Sequence, residues 1–173
     1  MGSGGKTCVI GAGRIGLPIS VSLASKGHEV IILEIDNEKC EMINNSESPF
    51  YEEGMGEKLE NAVSEGFLKA STDSSILSEC NVIISAIGTG ISGEGVPDVS
   101  GIDSLVAIIS PHIVAGDIFI LKTTLPIGTT SIIAKKIADD SGLNLDEELL
   151  VAFCPERIVE GRAMEELETL PKI

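Results

Sequence analysis

The pattern G-x-G-x-x-G, formed by Gly11, Gly13 and Gly16, constrains this chain more than any other feature. Thr7, Cys8, Val9 and Ile10 precede it as a short apolar run, the signature of a strand buried on both faces. Residues 14–25 read as a helix, ended by Lys26, Gly27 and His28, and residues 29–33 give a second apolar run closed by Glu34. In such a strand–turn–helix–strand unit each glycine has its own use. Gly11 permits a tight turn out of the strand, Gly13 leaves the backbone open to a close neighbour, and Gly16 lets helix and sheet pack closely. The amides of Arg14 and Ile15 then open the helix, where aligned peptide dipoles favour a negative charge.

An acid roughly 20 residues beyond the glycines completes the pattern expected for a dinucleotide, with pyrophosphate at the turn and ribose hydroxyls at the acid. Glu34 and Asp36 are both candidates for the ribose contact, and Glu34 stands at the strand end itself. A carboxylate there repels a 2′-phosphate, so NAD is expected over NADP. The plain alternative is a βαβ unit whose glycines serve packing alone.

Further along, apolar runs at residues 67–70, 81–87, 117–122 and 149–153 alternate with helical stretches at 36–44, 55–64, 100–110 and about 130–140. Asp36 or Asn37 is the expected cap of the first of these helices, with Ile43 inward; Leu59 and Val63 share the inner face of the second. Ser71, Thr72 and Asp73 start a short helix. Residues 45–54 form a polar loop carrying Phe50 and Tyr51, and residues 91–99 form a glycine-rich loop. Strands alternating with helices predict an α/β, Rossmann-type doubly wound parallel sheet in a single domain over residues 6–173, after a flexible leader at 1–5. Ligands bind such sheets at the carboxyl ends of the strands, where glycines, hydroxyls and lone carboxylates collect here.

Composition narrows the partners. With 27 acidic against 12 basic residues, a net charge of −15 argues against nucleic acid, which requires a basic surface. No stretch approaches the ~20 uninterrupted apolar residues of a membrane-spanning helix, and no signal peptide is recognisable. Cys8, Cys40, Cys80 and Cys154 match no zinc or CxxC spacing and read as reduced, mostly buried thiols of a cytoplasmic protein; no metal is expected. His28 and His112 sit at element boundaries and read as surface or capping residues.

The segments GAGRIGLPIS, GHEVIILEID, SPFYEEGM, the pair Thr72-Asp73, TTLPIGTT and FCPERIVEGRAMEEL occur in this order over almost the whole chain. Together they resemble the N-terminal NAD-binding domain of the nucleotide-sugar 6-dehydrogenases. The form Cys154-Pro155-Glu156-Arg157 is most similar to the UDP-N-acetylmannosamine branch. The resemblance implies an enzyme that oxidises a primary alcohol of a UDP-sugar to a carboxylate in two NAD-dependent steps, passing through a cysteine-bound thioester. It implies that Gly11, Gly13, Arg14, Ile15 and Gly16 hold pyrophosphate, that Glu34 holds the ribose, and that Lys39 is a second ribose contact. It places Thr89 and Thr124 at the nicotinamide end, Thr124 on the water or alcohol oxygen. Glu156 then serves thioester hydrolysis and Glu160 faces the sugar. Without the resemblance, Thr124 reads equally as a helix cap and Glu156 as a solvated loop acid.

The chain also departs from the family. Gly88 and Gly90 replace prolines around Thr89, which predicts a looser loop, and Ile127 replaces a proline after Pro126. None of the four cysteines matches the nucleophile, which belongs to a part of the family absent here, as do the dimer-forming helix and C-terminal domain. The expected fragment therefore binds NAD without turnover, and the full-length enzyme is a homo-oligomer. Alternatives are the UDP-glucose or GDP-mannose branch, a regulatory NAD-sensing Rossmann module such as those gating potassium channels, and a β-hydroxyacid-type dehydrogenase.

Overall fold

A computed structural model describes residues 5–88, 90, 91, 97, 98 and 100–170. The expected leader lies outside these residues except for Gly5, as do Thr89 and most of the glycine-rich loop at 91–99. The apolar runs become β1 (Lys6–Ile10), β2 (Val30–Leu33), β3 (Leu68–Ser71), β4 (Cys80–Ser85), β7 (Ile118–Leu121) and β8 (Leu150–Phe153). Two short strands, β5 (Gly90–Ile91) and β6 (Pro97–Asp98), pair antiparallel where the sequence suggested only loop. The helices are α1 (Gly16–Ala24), α2 (Asn37–Asn44), α3 (Gly56–Ser64), α4 (Ser100–Ile109), α5 (Thr129–Ser141) and α6 (Ala163–Thr169), with a 3₁₀ helix at Ser74–Glu79.

The six long strands form one parallel sheet in the order β3-β2-β1-β4-β7-β8. Chain order reverses between β1 and β4, where doubly wound sheets open a crevice for ligands. Val9 lies opposite Ile32 on β2 and Ile84 on β4, so β1 is central. Every residue of β2 is buried, as in a strand covered on both sides. One apolar layer joins Leu17, Val21, Ile43, Leu59 and Met164 to one face of the sheet; the other joins Leu105, Ile109, Ile133 and Ile137 to the opposite face. Helices α1, α2, α3 and α6 thus cover one face and α4 and α5 the other.

Several expectations shift in detail. The strand expected over 81–87 stops at Ser85: Ala86 N–H still donates to Ile10 O at 2.9 Å, but the last ladder pair with β1 is Ile10 with Ser85. Helix α1 begins at Gly16 rather than residue 14, since Gly13–Ile15 belong to the turn. On α3 the inward residues are Leu59 and Ala62, with Val63 only partly covered. Helix α6 was not anticipated, being a seven-residue segment that packs on α1 through Met164. Cys80 opens β4, and Cys154 is exposed just past β8, whereas the other three cysteines are buried.

Candidate functional site

The glycine turn is built from three distinct steric situations. Gly11 has φ +99°, a left-handed conformation that favours glycine, and its N–H donates to Leu33 O at 2.8 Å. A Cβ on Gly16 would lie 1.9 Å from Gly11 O and 3.1 Å from Ala86 Cβ, so no larger residue fits without moving backbone. A Cβ on Gly13 would meet no protein atom within 4 Å. Among the described residues nothing demands glycine there, which fits a position reserved for a ligand's close approach. The neighbouring helix start agrees. No side chain caps α1 and its first turn carries no acid, whereas Asp36 caps α2 through the amides of Glu38 and Lys39. The open, acid-free helix start suits an anion.

Beside this turn lies a cleft of about 540 Å³ lined by Gly11, Glu34, Ile35, Ile87, Leu105 and Ile108, among others. It runs along the ends of β1, β2 and β4 and has the volume of a small-molecule site. Its walls are chiefly aliphatic, with Glu34 the carboxylate among them. Glu34 is 8 % exposed; its Oε2 accepts from Ala12 N–H at 2.8 Å, and Oε1 accepts from the amides of Ile35 and Asp36 at 2.8 and 3.1 Å. The acid thus fastens the glycine turn to the end of β2 and leaves acceptor capacity on Oε2 for a hydroxyl. Asp36 is committed to the α2 cap, and Lys39 Nζ stands 3.8 Å from Asp36 Oδ2. Of the two acids, Glu34 is the one that lines the cleft.

At the other half of the same edge, Glu156 follows β8 and Thr124 follows β7. Glu156 N–H donates to Lys122 O at 2.8 Å, so the two strand ends stay joined beyond their last ladder pair. The Glu156 side chain is 3 % exposed and lies 3.0 Å from Lys122 Nζ, itself 12 % exposed. Thr124 is exposed, while the preceding Thr123 is buried and donates to Ile87 O at 2.7 Å.

Arg14 ties the two halves together. Its guanidinium sits 4.8 Å from the Phe50 ring centroid, reaches Tyr51 O at 3.4 Å and lies 3.6 Å from Glu160 Oε2. The loop that carries Phe50 is fixed by a residue the sequence left unremarked. Glu52, 6 % exposed, accepts from Gly161 N–H at 3.0 Å and from Ala163 N–H at 2.6 Å, capping α6 from a distant segment. Arg14 thus joins Glu160 to the side that carries Gly11, Gly13, Ile15, Gly16 and Glu34, while Thr124 and Glu156 follow the ends of β7 and β8. Thr89 falls outside the described residues. Lys122 and Glu52 are the members that sequence reasoning missed. A lysine closing an apolar strand was the one available hint for Lys122; nothing local signalled the burial of Glu52.

Cys8 lies within β1 and Cys80 opens β4, whereas Cys40 Sγ donates to Glu34 O at 3.8 Å and Cys154 follows β8. Cys8 is held well above the ordinary thiol range by its hydrogen bond to Cys80 and by burial. Burial likewise raises Cys40. Cys154 Sγ is 3.8 Å from Lys122 Nζ. Among the described residues no cluster of His, Cys, Asp and Glu could hold a metal ion, and no helix is long and apolar enough to cross a membrane.

Comparison with known proteins agrees with this geometry. The UDP-N-acetyl-D-mannosamine dehydrogenase of Methanococcus aeolicus is 33% identical over 165 residues, which cover 94% of this chain and 36% of that protein. The enzyme of the same name from Escherichia coli K12 is 31% identical, over 92% of this chain and 39% of its own length. The solved UDP-D-ManNAc dehydrogenase of Pyrococcus horikoshii superposes with a TM-score of 0.90 at 31% identity, covering 94% of this chain and 38% of that one. A GDP-mannose dehydrogenase from Pseudomonas aeruginosa, at 23% identity and TM-score 0.89, shares the fold, with 96% of this chain and 39% of that one covered. The chain thus spans well under half the length of these relatives. The family profile matches residues 5–173, and the chain belongs to the UDP-glucose/GDP-mannose dehydrogenase family as its NAD binding domain.

Proposed function

We propose that this chain supplies the cofactor half of a nucleotide-sugar dehydrogenase that oxidises the primary alcohol of a UDP-sugar of the N-acetylmannosamine type to a carboxylate. The observation that carries the reading is the uncapped start of α1 beside Gly13, whose missing Cβ leaves open space, next to a cleft faced by Glu34. Pyrophosphate is held by the amides of Arg14, Ile15 and Gly16 at the glycine turn. The adenosine lies among Ile35, Ile87, Leu105 and Ile108, with its ribose on Glu34 and Lys39 nearby. NAD supplies the hydride acceptor. The chain's own residues act on oxygen and protons: Thr124 orients the alcohol or water oxygen, and Glu156 takes a proton from the hydrolytic water. Glu160 faces the sugar. Thr89 joins Thr124 at the nicotinamide end. The nucleophile is none of the four cysteines in this chain, and we place it elsewhere in a longer, homo-oligomeric, cytoplasmic protein that binds no nucleic acid.

Calorimetry on the chain with NAD and with NADP tests the cofactor part. NAD should bind with NADP at least about tenfold weaker, a difference of ~1.4 kcal/mol. Absence of heat with either dinucleotide would sink the reading. For the substrate, a panel of UDP- and GDP-sugars assayed on the longer protein should single out UDP-N-acetylmannosamine.

A further inference from the structure

We infer that Lys122 is a positioning residue for Glu156, the partner that keeps this carboxylate ionised and turned inward at the joined ends of β7 and β8. This inference rests on the proposed role of Glu156. Three observations carry it. The Glu156 side chain is 3 % exposed, so water does little to support its charge. The ammonium 3.0 Å away is itself only 12 % exposed, so the pair is shielded and solvent screens it weakly. The pair is also placed by backbone, since Glu156 N–H donates to Lys122 O at 2.8 Å and Cys154 N–H donates to Leu121 O at 2.9 Å. Backbone bonds at and just past the ends of two adjacent strands thus bring the two side chains to each other.

A buried ion pair adds little net stability over apolar residues of similar volume, whereas removing one partner is strongly destabilising. What the lysine contributes is therefore a particular state of the carboxylate. A proton acceptor for water must be ionised before it can act, and burial alone opposes that. Lys122 offsets the burial, and the Arg157 N–H, which donates to Glu156 Oε1 at 3.0 Å, fixes the carboxylate's orientation. Cys154, with Sγ 3.8 Å from Nζ, and Arg157 are the ionisable neighbours that adjoin the pair in sequence. Glu160 lies 3.6 Å from Arg14 Nε.

The test uses carbon-13 carboxyl spectroscopy of glutamate-labelled chain at neutral pH, with Glu156→Gln identifying the signal. In the wild-type chain the Glu156 carboxyl should be ionised and protected from a soluble paramagnetic agent. In Lys122→Met it should become either protonated or an exposed, agent-broadened carboxylate, and Lys122→Arg should restore the wild-type signature. An ionised, protected signal in Lys122→Met overturns the inference. Should Lys122→Met fail to fold, the Lys122 ammonium protons are read directly in the wild type. A slowly exchanging ammonium signal lost in Glu156→Gln supports the pair, and the absence of such a signal in the wild type overturns it. The cofactor reading fails separately, through absent NAD binding by the wild-type chain, because the carboxyl measurement needs no dinucleotide.

Discussion

Where β1 and β2 end, a buried carboxylate meets three backbone amides; where β7 and β8 end, a buried carboxylate meets a lysine. Glu34 and Glu156 are alike in burial and unlike in what supports them. Amides belong to the main chain and cannot leave, so Glu34 is part of the framework that shapes the glycine turn. Glu156 has one such amide, from Arg157, and beside it an ammonium on a flexible stem that can be shared or displaced. The contrast continues in the strands behind them. Strand β2 is buried throughout, whereas three of the four residues of the edge strand β8 are exposed and the fourth is only partly covered. The first half of the edge is covered on both sides, and the second sets the buried Glu156 side chain beside a strand that stays exposed.

The largest effect that could break this comparison is at the glycines. Gly16→Ala pushes a Cβ into the Gly11 carbonyl and should destabilise the chain by about 3 kcal/mol, measured by chemical denaturation. Gly13→Ala should leave stability within about 1 kcal/mol of wild type. It should still weaken NAD binding roughly tenfold or more, ~1.4 kcal/mol. Equal losses of stability in the two variants would mean that Gly13 is structural. Next in size, Glu34→Gln turns one acceptor into a donor facing an N–H and should cost about 1–3 kcal/mol in stability. NAD affinity should fall with it and the preference over NADP should narrow. Unchanged affinity in a folded Glu34→Gln chain would move the ribose contact to Asp36.

The smallest effect separates the amide donor from burial. Asp73 caps the 3₁₀ helix with its carboxylate exposed, accepting from Ser75 N–H at 2.9 Å and Ser75 Oγ–H at 2.8 Å. These bonds hold its carboxyl below the ordinary aspartate range. Because the folded value is lowered, Asp73's contribution to stability is complete above the ordinary aspartate range and is lost as pH falls through the folded value. Ser75→Ala should raise the Asp73 midpoint part of the way back, read by carboxyl NMR, because the backbone donor remains. A full return would assign the shift to the hydroxyl alone.

What the sequence made legible was local. The glycine turn, α1 and Glu34 lie within two dozen residues, so spacing alone registers them. The cap by Asp36 was likewise readable, because a capping residue acts on amides two and three positions ahead. The strand over 81–87 ran two residues long because Ala86 and Ile87 continue the apolar run; their surroundings, a turn and a cleft wall, depend on β1 and α4. Lys122 and Glu156 are brought together by a backbone bond just past the ends of β7 and β8, and Glu52 meets partners 109 and 111 residues away. Such pairings leave no periodic trace. Helix α6 is too short for an amphipathic pattern to stand out, and its N-terminal support comes from Glu52 rather than from its own flank.

That remote support has a consequence for how the site comes into being. As the chain leaves the ribosome, the glycine turn and the first three strands can assemble well before residue 161 is made. Until then Glu52 has no amides to accept from and its carboxylate remains hydrated. Long-separated contacts close last because the intervening chain must be ordered first. The order of synthesis therefore makes a dinucleotide cradle first, and Glu52 gains its amide partners only later, when α6 arrives.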